Sequence, residues 1–506
     1  MCGAPYPEPA APARLHRFPL LLREERRLFL VTLLALLATW AGRLVLPAYS
    51  SDDYVLLRGS TDTQLLHLCV TQGRFGEAAL HFALVQLGLD PVHAYGVVNL
   101  AALGLLALAA VWLTRAWGLA PSDPSTALVA ALFFTHPFCA EVFTFRLAPG
   151  NFALAVATAT AALAMFRERG LRAAPLVLMA LSLSLYQVSL NLVLVGLSIA
   201  TLLAALRTDG TLRELRPVTR DALSALAGIT LACLVYAIAN AAVQHGFGIP
   251  PEDRFAFLGW SEVPNRAAEA REFFQWLLLH DSALSTPLLN ALVLLLLAGS
   301  AAAFVGHAIR RRAPALALIG LAGLGAAILA VPGVVLLMKD WWPAARTLTA
   351  MGLVCSGALA ICLCALPAGL RSASLVVGGL LLFGFAGLCG RVADEQQRVN
   401  TMDREITRKI LERLEDDPHF AEVETIVFVN ARDPYPLRRA IYRDLNKSAL
   451  MARWALPYLV EEMLGRKMRM ATTEEIAAAS RYCASAAKWP RAGATTRIGK
   501  AGVACF

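Results

Sequence analysis

From residue 28 onward the apolar residues come in unbroken runs, not in the alternation of a half-buried strand or the one-sided stripe of a surface helix. The first run, Leu28 to about Pro47, approaches ~20 residues, enough for a helix to span the hydrocarbon of a bilayer and longer than the core of a cleavable signal. It is read as an uncleaved anchor. Further runs at 94–114, 125–140, 148–166, 173–187, 189–206, 221–243, 286–308, 313–337, 347–366 and 372–391 bring the expected total to about eleven spans. The run 173–206 is interrupted only at Tyr186-Gln187. Two polar intervals are long. One is the loop 48–93; the other, 245–285, opens on Pro250-Pro251. The second contains an amphipathic stretch, Ala267 to Leu279, with Phe273, Phe274, Trp276 and Leu277 on its apolar side, a pattern suited to the interface plane. Past about Val392 the pattern becomes that of a soluble domain: a polar helix (Asp403 to Glu415), a β-run (Thr425 to Asn430), helices over Ala449 to Leu464 and Thr473 to Ala486, and a β-rich end.

The fold expected is an α-helical polytopic membrane protein, with about eleven transmembrane helices and a small C-terminal α/β domain. Residues 1–27 form an N-terminal tail, 28–391 the membrane domain with outer loops 48–93 and 245–285, and 392–506 the C-terminal domain. No phosphate-binding glycine loop and no internal repeat occurs.

Composition strengthens this reading. The chain is 57% hydrophobic and 16% charged, with mean hydropathy +0.57, against about 25% charged in soluble domains. The net charge of +9 would by itself suit a nucleic-acid partner. The basic residues instead sit in short connections beside the apolar runs, as topology signals do, so no nucleic acid is needed to explain them. Arg115, the group Arg167, Arg169 and Arg172, the group Arg207, Arg213, Arg216 and Arg220, the trio Arg310 to Arg312, and Arg371 mark one side as inner. The N-terminal tail, with Arg14, Arg17, Arg23, Arg26 and Arg27, belongs to that cytoplasmic side. An odd number of spans then puts the C-terminal domain outside, on the face that carries loop 48–93. Of the ten cysteines, Cys233, Cys355, Cys362, Cys364 and Cys389 lie in apolar runs and behave as small hydrophobes. No CxxC pair indicates a metal or redox site. Cys483 and Cys505 are candidates for a disulfide if the tail meets an oxidising compartment.

The outer face carries the candidate chemistry. Tyr49-Ser50-Ser51-Asp52-Asp53-Tyr54 places two adjacent acids where hydrocarbon gives way to water, and Gly73-Arg74 lies later in the same loop. Beyond them come Thr135-His136-Pro137-Phe138 with Glu141 and Phe145-Arg146, then Tyr186-Gln187 with Asn191, then Lys339-Asp340-Trp341-Trp342 ending at Arg346. Were the substrate a sugar carried on a polyprenyl phosphate, its transfer would need a base for the acceptor hydroxyl and cations for the departing phosphate. Asp52 and Asp53 are the base candidates; Arg74, Arg146, Lys339 and Arg346 are the phosphate-side candidates. Glu141, Tyr186, Gln187 and Asn191 are candidates for substrate contact. A divalent cation held by one of the acids is left open, and no other cofactor is indicated. Structural alternatives stand beside each role: the acids as helix caps, Arg74 and Arg146 as ion-pair partners of Glu77 and Glu141, and Trp341 with Trp342 as an interfacial belt.

The ordered set Ser51-Asp52-Asp53, Gly73-Arg74, His136-Pro137-Phe138 with Glu141, Phe145-Arg146, and Leu183-Ser184-Leu185-Tyr186-Gln187 with Asn191 resembles the bacterial O-antigen glucosyltransferases of the type II serotype-converting kind. These are polytopic enzymes of the GT-C class. The resemblance is closest over residues 30–200 and looser beyond, where Lys488-Trp489-Pro490 is also similar. It implies transfer of glucose or a similar hexose from a polyprenyl-phosphate donor to a glycan acceptor such as lipopolysaccharide O-antigen. It places the work at the periplasmic face of the bacterial inner membrane, with Asp53 or Asp52 catalytic. The run Arg146 to Asn151 departs from the family pattern, lacking an acid shortly after the arginine. A transporter or flippase of a lipid-linked saccharide is the rival reading. Such carriers bury ionisable groups at mid-membrane, whereas these runs carry almost no acids, and Arg43, the one charge within the first, is near enough its outer end to snorkel. A non-catalytic scaffold would not require the outer Asp and Arg clusters.

Overall fold

The computed structural model describes residues 21–45, 48–56, 62–252, 256–280, 282, 284–431 and 445–506. Arg14 and Arg17 lie outside the described residues.

The helices are α1 (Glu25–Val45), α2 (Asp53–Leu56), α3 (Asp62–Thr71), α4 (Phe75–Gln86), α5 (Tyr95–Ala116), α6 (Pro124–Leu132), α7 (Cys139–Thr144), α8 (Ala148–Arg169), α9 (Ala173–Leu185), α10 (Ser189–Ala205), α11 (Leu212–Phe247), α12 (Val263–Leu279), α13 (Pro287–Arg311), α14 (Pro314–Leu329), α15 (Gly333–Leu337), α16 (Met351–Ala365) and α17 (Ala368–Glu415). After them come β1 (Thr425–Val429), α18 (Leu456–Leu464), α19 (Thr473–Ser485), β2 (Thr495–Ile498) and β3 (Ala501–Cys505).

Among the described residues six helices suit a membrane crossing by length and composition: α1, α5, α8, α11, α13 and α17. Four shorter apolar helices, α9, α10, α14 and α16, pack among them. The expected runs do not all become single helices. The 125–140 run splits into α6 and α7 around Pro137, which has no N–H to continue a helix, and 313–337 splits at Pro332-Gly333. The break at Tyr186 to Val188 falls where the sequence places it. In the other direction, α17 is one helix of 48 residues. It contains no proline, so the change to polar composition near Val392 falls inside the helix. Its second half carries the i,i+4 pairs Asp394–Arg398 and Glu405–Lys409.

The connections sort into two ends. At one, Arg115 pairs with Glu25 at 2.6 Å, Arg207 donates to the carbonyls of Trp117 and Gly118, Arg311 pairs with Asp209, and Arg310 donates to Ala365. This is the arginine-rich end. At the other lie the described parts of loop 48–94, the turns after α6 and α9, residues 330–350 and the described part of the C-terminal domain. Arg43 points there without reaching water. Its side chain is buried, Nε donates to the Phe143 carbonyl at 2.7 Å, and Trp40 stacks on Phe143 with ring centroids 4.3 Å apart. The end of α7 supplies an open carbonyl, and that substitutes for the solvent expected of a snorkelling arginine.

Among its described residues the C-terminal domain has a three-stranded sheet in the order β1-β3-β2, with β3 parallel to β1 and antiparallel to β2. A disulfide joins Cys483 of α19 to Cys505 of β3. The expected helix over 449–464 begins only at Leu456. The residues before it serve instead as a fixed turn, with the Ser448 hydroxyl and the Ala449 N–H on the Asp403 carboxylate at 2.6 and 2.7 Å.

Candidate active site

Asp52 and Asp53 are neighbours in sequence with opposite surroundings. Ser50 and Asp53 cap α2 reciprocally: the Ser50 hydroxyl accepts from the Asp53 N–H at 3.2 Å, and Asp53 Oδ2 accepts from the Ser50 N–H at 2.7 Å. Asp53 Oδ1 takes the Arg146 N–H at 2.9 Å. With both oxygens occupied and 1% of its surface exposed, Asp53 joins the loop to the segment after α7. Asp52, one residue earlier, is exposed, and its Oδ1 accepts the indole N–H of Trp454 at 2.9 Å. The acids thus divide the two expectations for them: Asp53 caps and braces, and Asp52 faces water.

Burial pushes the Asp53 carboxyl up to about 6, against the opposing N–H donors of Arg146 and Ser50. A raised carboxyl lends stability that is full below its ordinary value of 3.8 and is lost as pH rises through about 6. Asp53→Asn is therefore expected to abolish a fall in stability of about 3 kcal/mol across that window. Melting midpoints of both proteins between pH 4 and 7 check this; parallel curves would refute it.

Arg146, expected on the phosphate side, is turned inward. It is buried, donates to the carbonyls of Ala48 (Nε, 3.2 Å) and Val92 (Nη1, 2.9 Å), and lies 3.5 Å from the Tyr49 ring centroid. It does not pair with Glu141. That acid, 2% exposed, takes the Arg346 guanidinium and, on Oε2, the Arg346 N–H at 2.7 Å. Asn191 fastens the same segment, donating to the carbonyls of Val331 and Thr347 at 3.0 and 3.2 Å and accepting from the Val334 N–H at 2.9 Å. Its amide is thus fully engaged within the fold. Arg346 rests over the Phe145 ring at 5.4 Å and keeps 25% of its side chain exposed.

Arg74 is supported in the same way. Its guanidinium lies 4.8 Å from the Tyr186 ring centroid, 3.7 Å from Glu77 and 3.4 Å from Gln187 Oε1, with 25% of the side chain exposed. Gln187 also donates to the Gln72 carbonyl at 2.7 Å and to the Tyr236 hydroxyl at 3.0 Å, and that hydroxyl donates to Gly73 at 2.9 Å. Gly73 has φ +73°, and a Cβ there would come within 2.5 Å of the Tyr236 hydroxyl, which is why glycine precedes the arginine. Glu77, which the sequence offered only as an ion-pair partner, is buried and accepts the Asn151 amide at 2.8 Å. Burial pushes its carboxyl up, opposed by Arg74 and Asn151. Of the two arginines, Arg74 lies against Tyr186 and Arg346 against Phe145.

Lys339 is exposed, and its backbone is tied to Ala256 and to Arg266. Trp341 docks on α12 through Phe273 and Arg266, while Trp342 is exposed. His136 is buried between Phe138 and Phe385. Among the described residues no group of three or more His, Cys, Asp or Glu side chains is gathered as a metal site.

Of the ten expected residues, Asp52, Arg74, Arg346 and Lys339 face water, while Asp53, Arg146, Glu141, Tyr186, Gln187 and Asn191 are engaged within the fold. An exposed acid with cations at the same end is equipped to take a proton from one group while stabilising negative charge on another. Trp454 was missed in the sequence; an isolated tryptophan in a polar tail gives no periodic or motif signal.

A family model described as glucosyl transferase GtrII matches residues 44–357, which contain all ten expected site residues. Comparison with the curated proteins and with the solved structures returned no match.

Proposed function

The chain belongs to the glucosyl transferase GtrII family, and on that premise we propose that it transfers a hexose, glucose by family, from a polyprenyl-phosphate donor to a surface glycan such as lipopolysaccharide O-antigen. The observation that carries this reading is a water-facing carboxylate, Asp52, at the same end of the bundle as Arg74 and Arg346, each of which keeps a quarter of its side chain exposed. Asp52 accepts the proton of the acceptor hydroxyl as its oxygen bonds to the anomeric carbon. The bond from that carbon to the phosphate oxygen breaks, its electron pair leaving with the polyprenyl phosphate. Arg346 and Arg74 stabilise the charge that gathers there, with Lys339 at the rim. Arg146 and Asp53 brace the loop that presents the base, Tyr186 and Gln187 hold Arg74, and Glu141 and Asn191 hold Arg346.

The periplasmic face of the inner membrane suits this work. The opposite end carries the arginine-rich connections of a cytoplasmic side. The Cys483–Cys505 disulfide belongs to the domain that contacts Asp52, and disulfides persist in oxidising compartments such as the periplasm.

Membranes containing the protein, supplied with polyprenyl-phosphate glucose, are expected to add one hexose to the surface glycan of cells lacking the gene, as read by mass spectrometry. No mass gain, with the donor intact, sinks the proposal. Arg346→Ala is expected to raise the KM for the lipid donor about tenfold or more, the scale of one charge-assisted hydrogen bond, with the acceptor KM unmoved. An unchanged donor KM removes Arg346 from the phosphate site.

A further inference from the structure

Trp454 lies beyond the stretch matched to the family, yet its indole N–H holds the acid assigned above as the base. The segment bearing it is rigid. Asn446 donates to the Val392 carbonyl at 3.0 Å, Ser448 and Ala449 are fixed on Asp403, and Ala452 and Ala455 are fully buried on either side of the tryptophan. Tyr54, two residues from Asp52, is buried in the same C-terminal core as Ala455 and Leu459. The loop carrying the acids and the turn carrying the tryptophan are thus parts of one packed unit. Within it Trp454 remains 43% exposed, with the Lys447 ammonium 4.7 Å from its ring centroid.

A tryptophan placed only to fill this core would be buried, as Tyr54 is, and one serving only as a donor to Asp52 would not need a broad apolar ring. A part-exposed indole with a base at its N–H edge and a lysine over one face suits a sugar ring, whose apolar C–H face lies on the opposite side of the indole and whose hydroxyls form a rim within reach of both. We propose that Trp454 and Lys447 form the acceptor-saccharide subsite. The indole ring stacks on the residue that carries the accepting hydroxyl, Lys447 donates to its oxygens, and the indole N–H keeps Asp52 aimed at that hydroxyl.

This assignment rests on Asp52 as the base, and the experiment separates the two. The full-length protein in nanodiscs is given polyprenyl-phosphate glucose and the oligosaccharide released by mild acid from the surface glycan of cells lacking the gene. Trp454→Ala is expected to raise the KM for that oligosaccharide about tenfold with the donor KM within about twofold. Trp454→Phe, which keeps the ring and loses the N–H, is expected to keep the acceptor KM within about twofold and to lower kcat. An equal rise in acceptor KM for the two variants, or no rise in either, overturns the subsite. If the wild type transfers no hexose, the reaction assignment fails instead. Saturation-transfer NMR of the same oligosaccharide on wild type and Trp454→Ala then decides the subsite: signal lost in the variant supports it, and equal signal refutes it.

Discussion

Asp52→Asn is expected to lower hexose transfer by about 10²–10⁴, the range of a lost general base, with the protein inserted and stable as before. The asparagine keeps the shape of the side chain and its acceptor oxygen toward the Trp454 N–H, so only the proton acceptor disappears. Asp53→Asn is expected to reduce activity by a different route. Both of its oxygens serve backbone N–H groups, and an amide has one oxygen for two such donors. The loss of one bond and the removal of a buried charge act in opposite directions on global stability at neutral pH, so the midpoint moves little. The bond between the loop and Arg146 is what gives way. Hydrogen exchange distinguishes the variants: the Ser50 and Arg146 amides remain protected in Asp52→Asn, and the Arg146 amide loses protection in Asp53→Asn. Full transfer activity in Asp52→Asn would refute its role as base.

The second large effect is expected at Arg146. Truncation to alanine strands the Ala48 and Val92 carbonyls and removes the cation over Tyr49, at a cost of about 3–5 kcal/mol. Arg146→Lys keeps the charge but not the planar fork that reaches two carbonyls while lying on a ring. Its kcat is expected to fall with the donor KM unchanged, the mark of a brace and not of a phosphate ligand. A raised donor KM with normal kcat would return Arg146 to the phosphate site.

Much of the architecture was legible because its signals are local. The apolar runs, the interruption at Tyr186-Gln187 and the β-run at Thr425 all appear in the helices and strands. Pro137 and Pro332-Gly333 carried signals that outweighed hydropathy, since a long apolar run does not restore a missing N–H. Conversely, no breaker separates the last span from the polar helix, and the two become α17. The sheet order, with β3 between β1 and β2, was not legible: strand content does not specify partners.

Membership in the membrane, the gathering of ten candidate residues at one end of the bundle, and the family itself were determined by the sequence, because hydrophobicity adds along the chain and positive charge sorts loops one by one. Which of those residues face water was decided only by tertiary structure. Asp53 meets Arg146 across 93 positions, Glu141 meets Arg346 across 205, and Asp52 meets Trp454 across 402. A carboxylate or guanidinium looks the same in sequence whether it faces solvent or is saturated by buried partners. The cost of burying its charge depends on neighbours that the chain brings together only when it folds.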